Sequence, residues 1–600
     1  MSIQSKHFQN APENLVIESL QGLCSLNPQI DLDTANKVVY VASPDRSKVA
    51  LICGGGSGHE PAHAGFVGYG MLTAAACGSV FASPNPSQVR RAIDIVENEK
   101  GSVIIVRNYT GDILNFGLAK EQYAALHPEK ADRVRFVIVG DDVAVGRTQG
   151  KIVGRRGLAG TCLVYKIAGA LAERGAELDE VHAIAQWVSS RVGTIGVGLE
   201  HCHVPGTAAG ESHLNPTEIE IGMGIHNEPG NRRVSPVPSV NELVPMLLEL
   251  LTSTTDPERS FLPFKGKDHL VLLLNNLGGT SELEMAGIIR ETRHALEAQG
   301  YKIRRVLAGT FMTSLNMPGF SITVLLLPHR TETDESVPDT ELLLSLLDEK
   351  PAVPGWKWAS ATTPEPSSLQ IKRTVSTAPA AAVGDVTKLG SEDPAAFIAS
   401  VKRACGALID AEPEITRMDN IAGDGDCGLT LKDGANGVLR NVESGKISGD
   451  DVISSIISIS KVAEEQMGGT SGALYSIFFS ALAQGLQANH GHQKTLTPAL
   501  WAKAVSYALE KLYTYTRARP PSRTLVDPLD AFVKALTASK GTDFAGAVQA
   551  ADAAAQKTRD LEAKAGRSAY VEGNRLKDQQ VPDPGAWGVK VVLEGLLASA

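Results

Sequence analysis

Short apolar runs of strand length recur through the first 350 residues of the chain. Four of them cover residues 102–109 (SVIIVRNY), 134–140 (VRFVIVG), 269–279 (HLVLLLNNLGG) and 321–327 (SITVLLL), and segments with helical periodicity, such as 87–99, lie between them. Strands that alternate with helices are typical of α/β proteins with largely parallel sheets. We therefore expect an α/β architecture in this part of the chain.

After residue 390 the pattern changes to amphipathic segments of helix length, with almost no strand-like runs. Examples cover residues 394–415, 450–467 and 498–515. Segments of this kind pack their apolar faces together in all-helical bundles. This part is therefore expected to be an all-α domain.

A segment rich in Pro, Ala, Ser and Thr separates the two parts and lacks sustained periodicity. Such a composition is typical of extended linkers. We therefore divide the chain into an α/β domain at 1–350, an extended linker at 351–388 and an all-helical domain at 389–600.

Composition and charge narrow the classes of function. The net charge of −10 argues against a surface built for nucleic acid or anionic lipid. No apolar stretch approaches the roughly 18 residues of a membrane span, and the N-terminus lacks the apolar core of a secretory signal. The seven cysteines are an odd, scattered set, which suits a reducing compartment. We therefore expect a cytoplasmic protein that acts on small molecules, with neither nucleic acid nor membrane as a partner.

Residues 59–63 (HEPAH) fit the H-E-x-x-H pattern of zinc proteases. That motif needs both histidines on one helix, whereas His59 follows a run of glycines and Pro61 is tolerated only in the first helical turn. We therefore interpret the segment differently. The apolar run 48–53 predicts a buried strand, and the glycines that follow it predict a sharp turn with exposed amides. Such a turn is either a ligand-binding loop of an α/β protein or a simple connection.

Three carboxylates in the helical part, Asp419, Asp424 and Asp426, are interleaved with glycines. Oxygen ligands on a flexible backbone suit a hard divalent cation, and the spacing is not that of an EF-hand, so Mg²⁺ that carries phosphates is preferred over stored calcium. The alternative is an acidic surface loop. Gly-rich helix junctions at 467–473 and 582–588 favour the metal interpretation, because amides at helix N-termini bind phosphate oxygens.

Seven motifs occur in order along essentially the whole chain. They are GGGSGHEPAHAGFVGYGML, NYTGDILNFGLA, GMGIHNEPG, GDGDCGLTL, GGTSGALY, GRSAY and PDPGAWG. Together they resemble the motifs of ATP-dependent dihydroxyacetone kinases, in the eukaryotic form that joins both parts in one chain. The resemblance implies a substrate-binding region of two α/β subdomains, followed by an all-α helical-bundle domain for the nucleotide.

The resemblance assigns the substrate chemistry to three residues. It implies that His226, in the GIHNEPG motif, attacks the carbonyl of dihydroxyacetone and holds it as a covalent hemiaminal, which glycerol cannot form because it lacks a carbonyl. It also implies that Asp112 is the general base for the hydroxyl and that His59 orients the substrate. The alternative for Asp112 is a cap of the helix that follows it. The implied substrate-binding residues are Gly56, Ser57, Gly58, His59, Arg107 and Asp112.

Arg107 departs from the family pattern, in which lysine often precedes NYTGD. A guanidinium supplies hydrogen-bond donors with a different reach and plane. The affinity for substrate is therefore expected to differ, while the class of reaction stays the same.

In the helical part the resemblance implies that Asp419, Asp424 and Asp426 hold two Mg²⁺ ions that bind the phosphates of ATP. Bacterial relatives often have histidine in place of Cys427, so a backbone contact is expected there. The implied nucleotide contacts are Cys427, Gly428, Leu429, Thr430, Thr470, Ser471, Leu525, Arg567, Asp583, Pro584 and Gly585.

The reaction implied by the resemblance is transfer of the γ-phosphoryl group of ATP to dihydroxyacetone, and to D-glyceraldehyde, in a homodimer. Two alternatives stay open. Some animal relatives act as FAD-AMP lyases that cyclise FAD at the same nucleotide site, which needs the metal carboxylates but not His226. A non-catalytic triose-binding regulator is expected to lack Asp112, His226 or one of the metal carboxylates, and all are present.

Overall fold

The structure is a computed structural model that describes residues 5–208, 212–366, 388–564 and 580–597. The chain forms two compact units, Met1–Ser376 and Thr377–Ala600. Each unit has a hydrophobic core of its own.

The first half of the first unit contains a six-stranded sheet. Its strands are β1 Ile30–Asp33, β2 Val38–Val41, β3 Ala50–Ser57, β4 Ala74–Val80, β5 Ser102–Arg107 and β6 Val134–Val139. Their order across the sheet is β1-β2-β4-β3-β5-β6. Strands β4, β3, β5 and β6 run parallel, while β1 and β2 pair antiparallel at one edge.

A second six-stranded sheet follows in the same unit. Its strands are β7 Val192–Gly198, β8 Ile219–Ile221, β9 Arg232–Val234, β10 His269–Asn276, β11 Lys302–Gly309 and β12 Gly319–Leu326. The order is β11-β10-β12-β7-β8-β9, and only β10 and β11 pair parallel. The prediction of largely parallel pairing is therefore right for the first sheet and wrong for the second. No helix lies between β11 and β12, and a strand that returns without a crossover helix runs antiparallel.

Helices cover both sheets and fill the space between them. In the described part of this unit they are α1 Leu15–Leu26, α2 Pro86–Ile95, α3 Thr110–Leu126, α4 Gly160–Glu173, α5 Leu178–Arg191, α6 Val240–Thr252, α7 Glu282–Ala298 and α8 Thr340–Asp348. Helices α2 and α3 pack on the outer face of the first sheet, and α6 and α7 on that of the second. Helix α4 lies between the sheets, where almost all of its residues are buried. The predicted α/β architecture is confirmed.

The Gly-rich segment that follows the predicted strand continues it. Gly54 to Gly56 belong to β3. Close approach of neighbouring groups explains the glycines, because a Cβ at Gly54 would overlap the carbonyl oxygen of Ala76 and one at Gly55 would overlap the guanidinium of Arg107. The prediction of a sharp turn at these glycines is wrong, since the chain turns only after the end of β3.

The second unit is helical. Its described helices are α9 Pro394–Ala422, α10 Cys427–Glu443, α11 Val452–Gln466, α12 Gly469–Asn489, α13 Pro498–Tyr515, α14 Val526–Ala538, α15 Phe544–Lys557 and α16 Pro584–Leu596. Each helix packs against the next in sequence and α16 packs against α9, so the helices form a closed ring. The predicted helical bundle is confirmed. Among the helices of the described ranges, none combines the length and the apolarity needed to cross a membrane.

The first residues of the predicted linker pack against the first unit. The amide of Ala352 donates to the carbonyl oxygen of Tyr69 at 2.9 Å, and that of Gly355 donates to Gly65 at 2.8 Å. The ring of Trp356 stands edge-on to a phenylalanine of this unit, with 6.2 Å between centroids. The start of this segment is therefore held by both hydrogen bonds and apolar contact.

The close approach at Gly54 predicts that even a substitution by alanine strongly lowers the free energy of unfolding. In Gly54→Ala the new Cβ would overlap a backbone oxygen and lie 2.9 Å from the ring of Phe116. We expect the free energy of unfolding to fall by about 2–3 kcal/mol, because overpacking of a rigid core costs this much. Urea unfolding of the first unit measures the change.

Gly287→Ala is the matched control for this substitution. Gly287 lies on the exposed side of α7, and a Cβ there would meet no atom within 4 Å. The same change should therefore be neutral or should stabilise the helix by up to about 1 kcal/mol. Equal losses for the two variants would contradict the account of β3.

Candidate active site

Two histidines from the loops of different sheets meet beyond the carboxyl end of β3. His59 follows β3 and is fully buried, while His226 lies between β8 and β9 and is partly buried. Their Nε2 atoms are 3.0 Å apart, and the two rings stand edge-on at 83°. The structure therefore brings together the two histidines that the sequence places in substrate binding.

Hydrogen bonds define where the protons of this pair lie. Nδ1 of His59 is 2.8 Å from the carbonyl oxygen of Thr313, which can only accept, so Nδ1 carries a proton. Burial, and after it the charge of Arg107, hold the pKa of His59 well below its usual range. The ring is therefore neutral, and its Nε2 has a lone pair. Nε2 of His226 must then be the donor in the 3.0 Å contact.

Two further rings enclose the imidazole of His226. Phe81 stacks on His59 with 5.1 Å between centroids and stands edge-on to His226 at 5.0 Å. Tyr109 also stands edge-on to His226, at 4.7 Å. Such aromatic contacts have preferred geometries and limit the rotation of the ring they touch.

Left-handed backbone conformations surround the same pair of histidines. Phe81, Asn227 and Leu315 have φ values of 55°, 63° and 52°. Residues other than glycine seldom adopt this region, and functional sites are among the places where the surroundings enforce it. Asn227 is held by Cys202, whose amide donates to Oδ1 at 2.9 Å and whose carbonyl oxygen accepts from Nδ2 at 3.0 Å.

Asp112 is buried in the first turn of α3, with 2% of its surface exposed. Its Oδ1 accepts a short hydrogen bond from the hydroxyl of Ser83, and its Oδ2 lies 3.5 Å from Nη2 of Arg107. Arg107 ends β5, is 1% exposed and lies over the ring of Tyr109 at 5.3 Å. The helix begins after Tyr109, which is its N-cap, and no side chain accepts a hydrogen bond from the amides of the first turn. The alternative role of Asp112 as a helix cap is therefore wrong.

The segment from Gly56 to Gly58 passes directly beside Phe81. A Cβ at Gly58 would lie 2.8 Å from the Phe81 ring, which explains the glycine. The amide of Gly58 donates to the carboxylate of Glu60 at 3.0 Å, and the hydroxyl of Ser57 donates to Gly78 at 2.8 Å. These contacts fix the loop that carries His59.

Glu228 is a site residue that the sequence analysis missed. Its Oε1 lies 2.9 Å from Nδ1 of His226, and its Oε2 accepts from the backbone amide of the same histidine at 2.9 Å. Burial alone would raise the pKa of Glu228, but the hydrogen bonds and charge of His226, together with the guanidinium of Arg156, lower it to about 2. The signal was present in the GIHNEPG motif, since Glu228 is the only acidic residue in it.

The H-E-x-x-H pattern does not form a metal site. Nδ1 of His63 lies 3.4 Å from Sγ of Cys53 in the core, whereas His59 faces His226. Within the described ranges, the one group of three or more ligand side chains close enough for a single ion lies in the second unit. The interpretation of residues 59–63 as something other than a zinc motif agrees with this geometry.

That group consists of Asp419, Asp424 and Asp426, which offer carboxylate oxygens within 4.8 Å of one another. Asp419 lies in the last turn of α9 and is buried, while the other two are exposed. Oδ2 of Asp419 accepts from the amides of Gly425 at 2.9 Å and Cys427 at 3.0 Å, which bends the loop around the carboxylate. Several carboxylate oxygens on one loop fit a hard cation such as Mg²⁺.

A cavity of about 270 Å³ lies beside these carboxylates. The first turns of α10, α12, α14 and α16 line it, because alternate helices of the ring begin at the same end. Free amides and helix dipoles at four N-termini suit phosphate groups. Of the residues that the sequence assigned to metal or nucleotide, those that line the cavity are Asp419, Asp424, Asp426, Cys427, Thr430, Thr470, Ser471, Leu525, Asp583, Pro584 and Gly585.

Three other residues assigned to the nucleotide are placed differently. Gly428 packs against α9, where a Cβ would lie 2.6 Å from the carbonyl oxygen of Glu412, and Leu429 is 52% exposed. Arg567 lies outside the described residues. The glycine at 428 therefore has a packing reason of its own, since it lets α10 approach α9.

Burial shifts the pKa values of two ionisable groups that line the cavity. It raises the pKa of Asp583 to about 6, even though the carboxylate accepts a hydrogen bond from the amide of Ala586 at 2.9 Å. Burial, and after it the charge of Asp419, raise the pKa of the Cys427 thiol to about 12. Cys427 therefore offers its backbone and a neutral thiol to the cavity.

Comparisons with known proteins agree with this geometry. The Dak1 domain matches residues 21–342, and the DAK2 domain matches residues 421–598. This chain belongs to the dihydroxyacetone kinase family. The resemblance inferred from the motifs is thereby confirmed.

Relatives in the dihydroxyacetone kinase family align over nearly the whole chain. A Pichia angusta protein named dihydroxyacetone kinase is 41% identical over 99% of this chain and 98% of its own length. A Homo sapiens protein named triokinase/FMN cyclase is 38% identical over 99% of both chains. The crystal structure of the dihydroxyacetone kinase from C. freundii in complex with AMP-PNP and Mg²⁺ covers 99% of both chains at 30% identity, with a TM-score of 0.62.

The two family domains correspond to the two sites. The Dak1 match includes His59, Asp112 and His226, and the DAK2 match, which begins just after Asp419, includes the other residues that line the cavity. Each site of this dihydroxyacetone kinase family member is therefore built within one unit.

The low pKa of Glu228 predicts a pH-dependent contribution to stability. The pKa falls from 4.5 to about 2 on folding. A lowered carboxyl pKa stabilises the fold above the unfolded value, and the contribution is lost as the pH falls towards the folded value. Glu228→Gln should therefore lower the free energy of unfolding by up to about 3 kcal/mol at neutral pH, and this loss should shrink between about pH 4.5 and pH 2.

Thermal unfolding of the first unit at a series of pH values measures this effect. Glu249→Gln, on the exposed side of α6, is the matched control and should follow wild type at every pH. A loss in Glu228→Gln that stays constant as the pH falls would contradict the ionised, hydrogen-bonded state of Glu228.

Proposed function

We propose that this chain transfers the γ-phosphoryl group of ATP to dihydroxyacetone, and to D-glyceraldehyde, in an Mg²⁺-dependent reaction. The observation that carries the proposal is the hydrogen-bonded pair of His59 and His226, with 3.0 Å between their Nε2 atoms, at the end of a buried strand. The relative named dihydroxyacetone kinase, which aligns over 99% of this chain, supports the same activity here.

His226 captures the ketone through its Nε2 atom. Nε2 first gives its proton to Nε2 of His59, and the lone pair that this frees bonds to the carbonyl carbon. The π bond of the carbonyl then breaks, and the oxygen takes the proton from His59. The lone pair on Nε2 of His59 faces that proton and relays it. The 3.0 Å contact leaves no room for a carbon atom between the nitrogens, so the two rings separate when the substrate enters.

Asp112 accepts the proton of the hydroxyl that is phosphorylated. An alcohol is weakly acidic and needs a base while its oxygen bonds to phosphorus. Ser83 and Arg107 orient the two oxygens of the Asp112 carboxylate. Two further nitrogens of Arg107, Nε and Nη1, are buried and have no partner among the described residues, which supports a role in binding substrate oxygens.

The three aspartates and the helix N-termini support a nucleotide site in the second unit. Asp419, Asp424 and Asp426 would hold Mg²⁺, which would neutralise phosphate charge during transfer. We propose two ions, because Mg²⁺ is usually held by one or two carboxylates together with phosphates and water, and three carboxylates exceed the need of one ion. Amides at the starts of α10 and α12 hold phosphate oxygens.

The proposal also covers the domain boundaries, the cellular location and the oligomeric state of the enzyme. The chain divides into units at Ser376, which supports domains at 1–350 and 389–600 with a linker at 351–388. All seven cysteines are free thiols, which supports a cytoplasmic location. We also propose a homodimer, as the motifs imply, and light scattering tests it. Neither unit alone carries both sets of residues, so neither is expected to turn over by itself.

Release of ADP tests the proposed reaction. The purified chain with Mg-ATP should release ADP with dihydroxyacetone and little with glycerol, which has no carbonyl to capture. His226→Ala should lower kcat/KM for dihydroxyacetone by about 1000-fold or more, because it removes the nucleophile. His294→Ala, an exposed histidine on α7, is the matched control and should behave as wild type. Wild type that releases no ADP with dihydroxyacetone would contradict the kinase function.

A comparison of Asp426→Asn with His226→Ala separates the kinase from the alternative activity. The relative named triokinase/FMN cyclase supports a cyclase as the second candidate function, and the motifs imply FAD as its substrate. Asp426→Asn should lower both activities by about 100-fold or more and raise the Mg²⁺ concentration needed, because both reactions use the phosphate site. His226→Ala should affect only the kinase. Asp433→Asn, exposed on α10, is the control. Kinase activity that survives Asp426→Asn unchanged would exclude the proposed metal site.

A further inference from the structure

The inference concerns which nitrogen of His226 bonds the substrate, and it rests on the proposed capture of a ketone by this residue. We propose that Glu228, held by Arg156 and Asp142, is a positioning residue that keeps a proton on Nδ1 of His226 and so leaves Nε2 as the atom that bonds the carbonyl carbon.

Both carboxylate oxygens of Glu228 contact His226. Oε1 faces the ring at Nδ1 and Oε2 accepts from the backbone amide, each at 2.9 Å. An ionised carboxylate can only accept, so Nδ1 must be the donor in the first contact. The left-handed conformation of Asn227, which Cys202 holds by two hydrogen bonds, lets the side chains on either side of Asn227 meet.

Arg156 sits beside the carboxylate in a fixed orientation. Its Nε donates to Oδ2 of Asp142 and its Nη2 to the carbonyl oxygen of Gly222, both at 2.7 Å. The third nitrogen faces the space above Gly224, where a Cβ would lie 2.5 Å from Nη1 of Arg156 and 2.8 Å from Cδ of Glu228. Gly224 therefore leaves room for the guanidinium and the carboxylate to approach each other, and their attraction keeps Glu228 an acceptor.

The proton balance of capture follows from these contacts. Before capture His226 donates from Nδ1 to Glu228 and from Nε2 to His59. Nε2 gives its proton to Nε2 of His59 and bonds to carbon through the lone pair that this frees. His59 then delivers the proton to the former carbonyl oxygen, and Nδ1 keeps its proton throughout. The ring carries one positive charge before and after the step. The carboxylate of Glu228 therefore balances the same charge in both states, and capture requires no change of charge in a partly buried site.

Glu228→Gln separates this role from simple packing. An amide has one oxygen, and the backbone amide of His226 can only donate to that oxygen. The NH₂ group of the glutamine is then turned towards Nδ1, where it donates, so Nδ1 loses its proton and the ring keeps only the proton on Nε2. A substitution that keeps the shape of the side chain is therefore expected to leave a neutral ring that is protonated only on Nε2. This ring cannot give up that proton without becoming an anion, so the nucleophilic atom is blocked.

The first measurement uses the substrate-free full-length chain labelled with ¹⁵N-histidine. In wild type Nδ1 of His226, identified by the signals missing in His226→Ala, should be protonated. In Glu228→Gln Nδ1 should have no proton and Nε2 should keep one, and in the control Glu249→Gln the wild-type pattern should remain. An unchanged Nδ1 proton in Glu228→Gln would overturn the proposal. This readout does not depend on turnover, so it stands even when the kinase proposal fails.

The second measurement separates KM from kcat with dihydroxyacetone. Glu228→Gln should raise KM by about tenfold or more and leave kcat within about threefold, because a captured substrate still reacts. Gly224→Ala and Arg156→Gln should raise KM in the same direction, and Arg156→Lys should restore most of the loss. A fall in kcat with an unchanged KM, in proportion to unfolded protein, would overturn the proposal. Should Glu228→Gln fail to fold, Gly224→Ala and Arg156→Gln decide the question.

The two proposals fail in different ways. Wild type that turns over no dihydroxyacetone contradicts the proposed kinase. Wild type that turns over the ketone, beside a Glu228→Gln variant with the same Nδ1 proton and the same KM, contradicts only the role of Glu228.

Discussion

Close approach of the backbone around the end of β3 is the constraint on which the first site depends. Gly54 and Gly55 let a neighbouring strand and the guanidinium of Arg107 come nearer than any side chain would allow. The side chain of His59, which follows β3, can therefore be fully buried. One of its ring nitrogens contacts a carbonyl oxygen in a loop of the second sheet, and the other contacts His226. The same burial keeps His59 neutral, and a neutral ring is what can accept and relay a proton.

The second site rests on topology more than on individual side chains. In a closed ring of antiparallel neighbours, every second helix begins at the same end. The starts of α10, α12, α14 and α16 therefore converge on one cavity, and the carboxylates that follow α9 lie at its edge. Positive helix ends and negative side chains at one place suit a phosphate chain with its cation.

The sequence was most informative where a residue's role is local. Alternating strands and helices predicted the α/β unit, amphipathic segments predicted the helical unit, and the interleaved aspartates predicted a group that the structure brings within 4.8 Å. The antiparallel second sheet was missed, because strand direction depends on connections that periodicity does not show. The strand through Gly54 to Gly56 was missed, because glycine signals a turn unless the neighbours that require it are known. Glu228 and Ser83 were missed because their contacts depend on the fold, in the first case on the left-handed backbone of Asn227.

The central claim is that Nε2 of His226 bonds the substrate carbon. The most direct test is an NMR spectrum of 2-¹³C-dihydroxyacetone bound to the ¹⁵N-histidine-labelled chain without nucleotide. We predict a tetrahedral carbon that shows one-bond coupling to Nε2 of a single histidine and is absent in His226→Ala. A bound substrate that keeps its trigonal carbon, or a tetrahedral carbon without coupling to histidine nitrogen, would contradict the account.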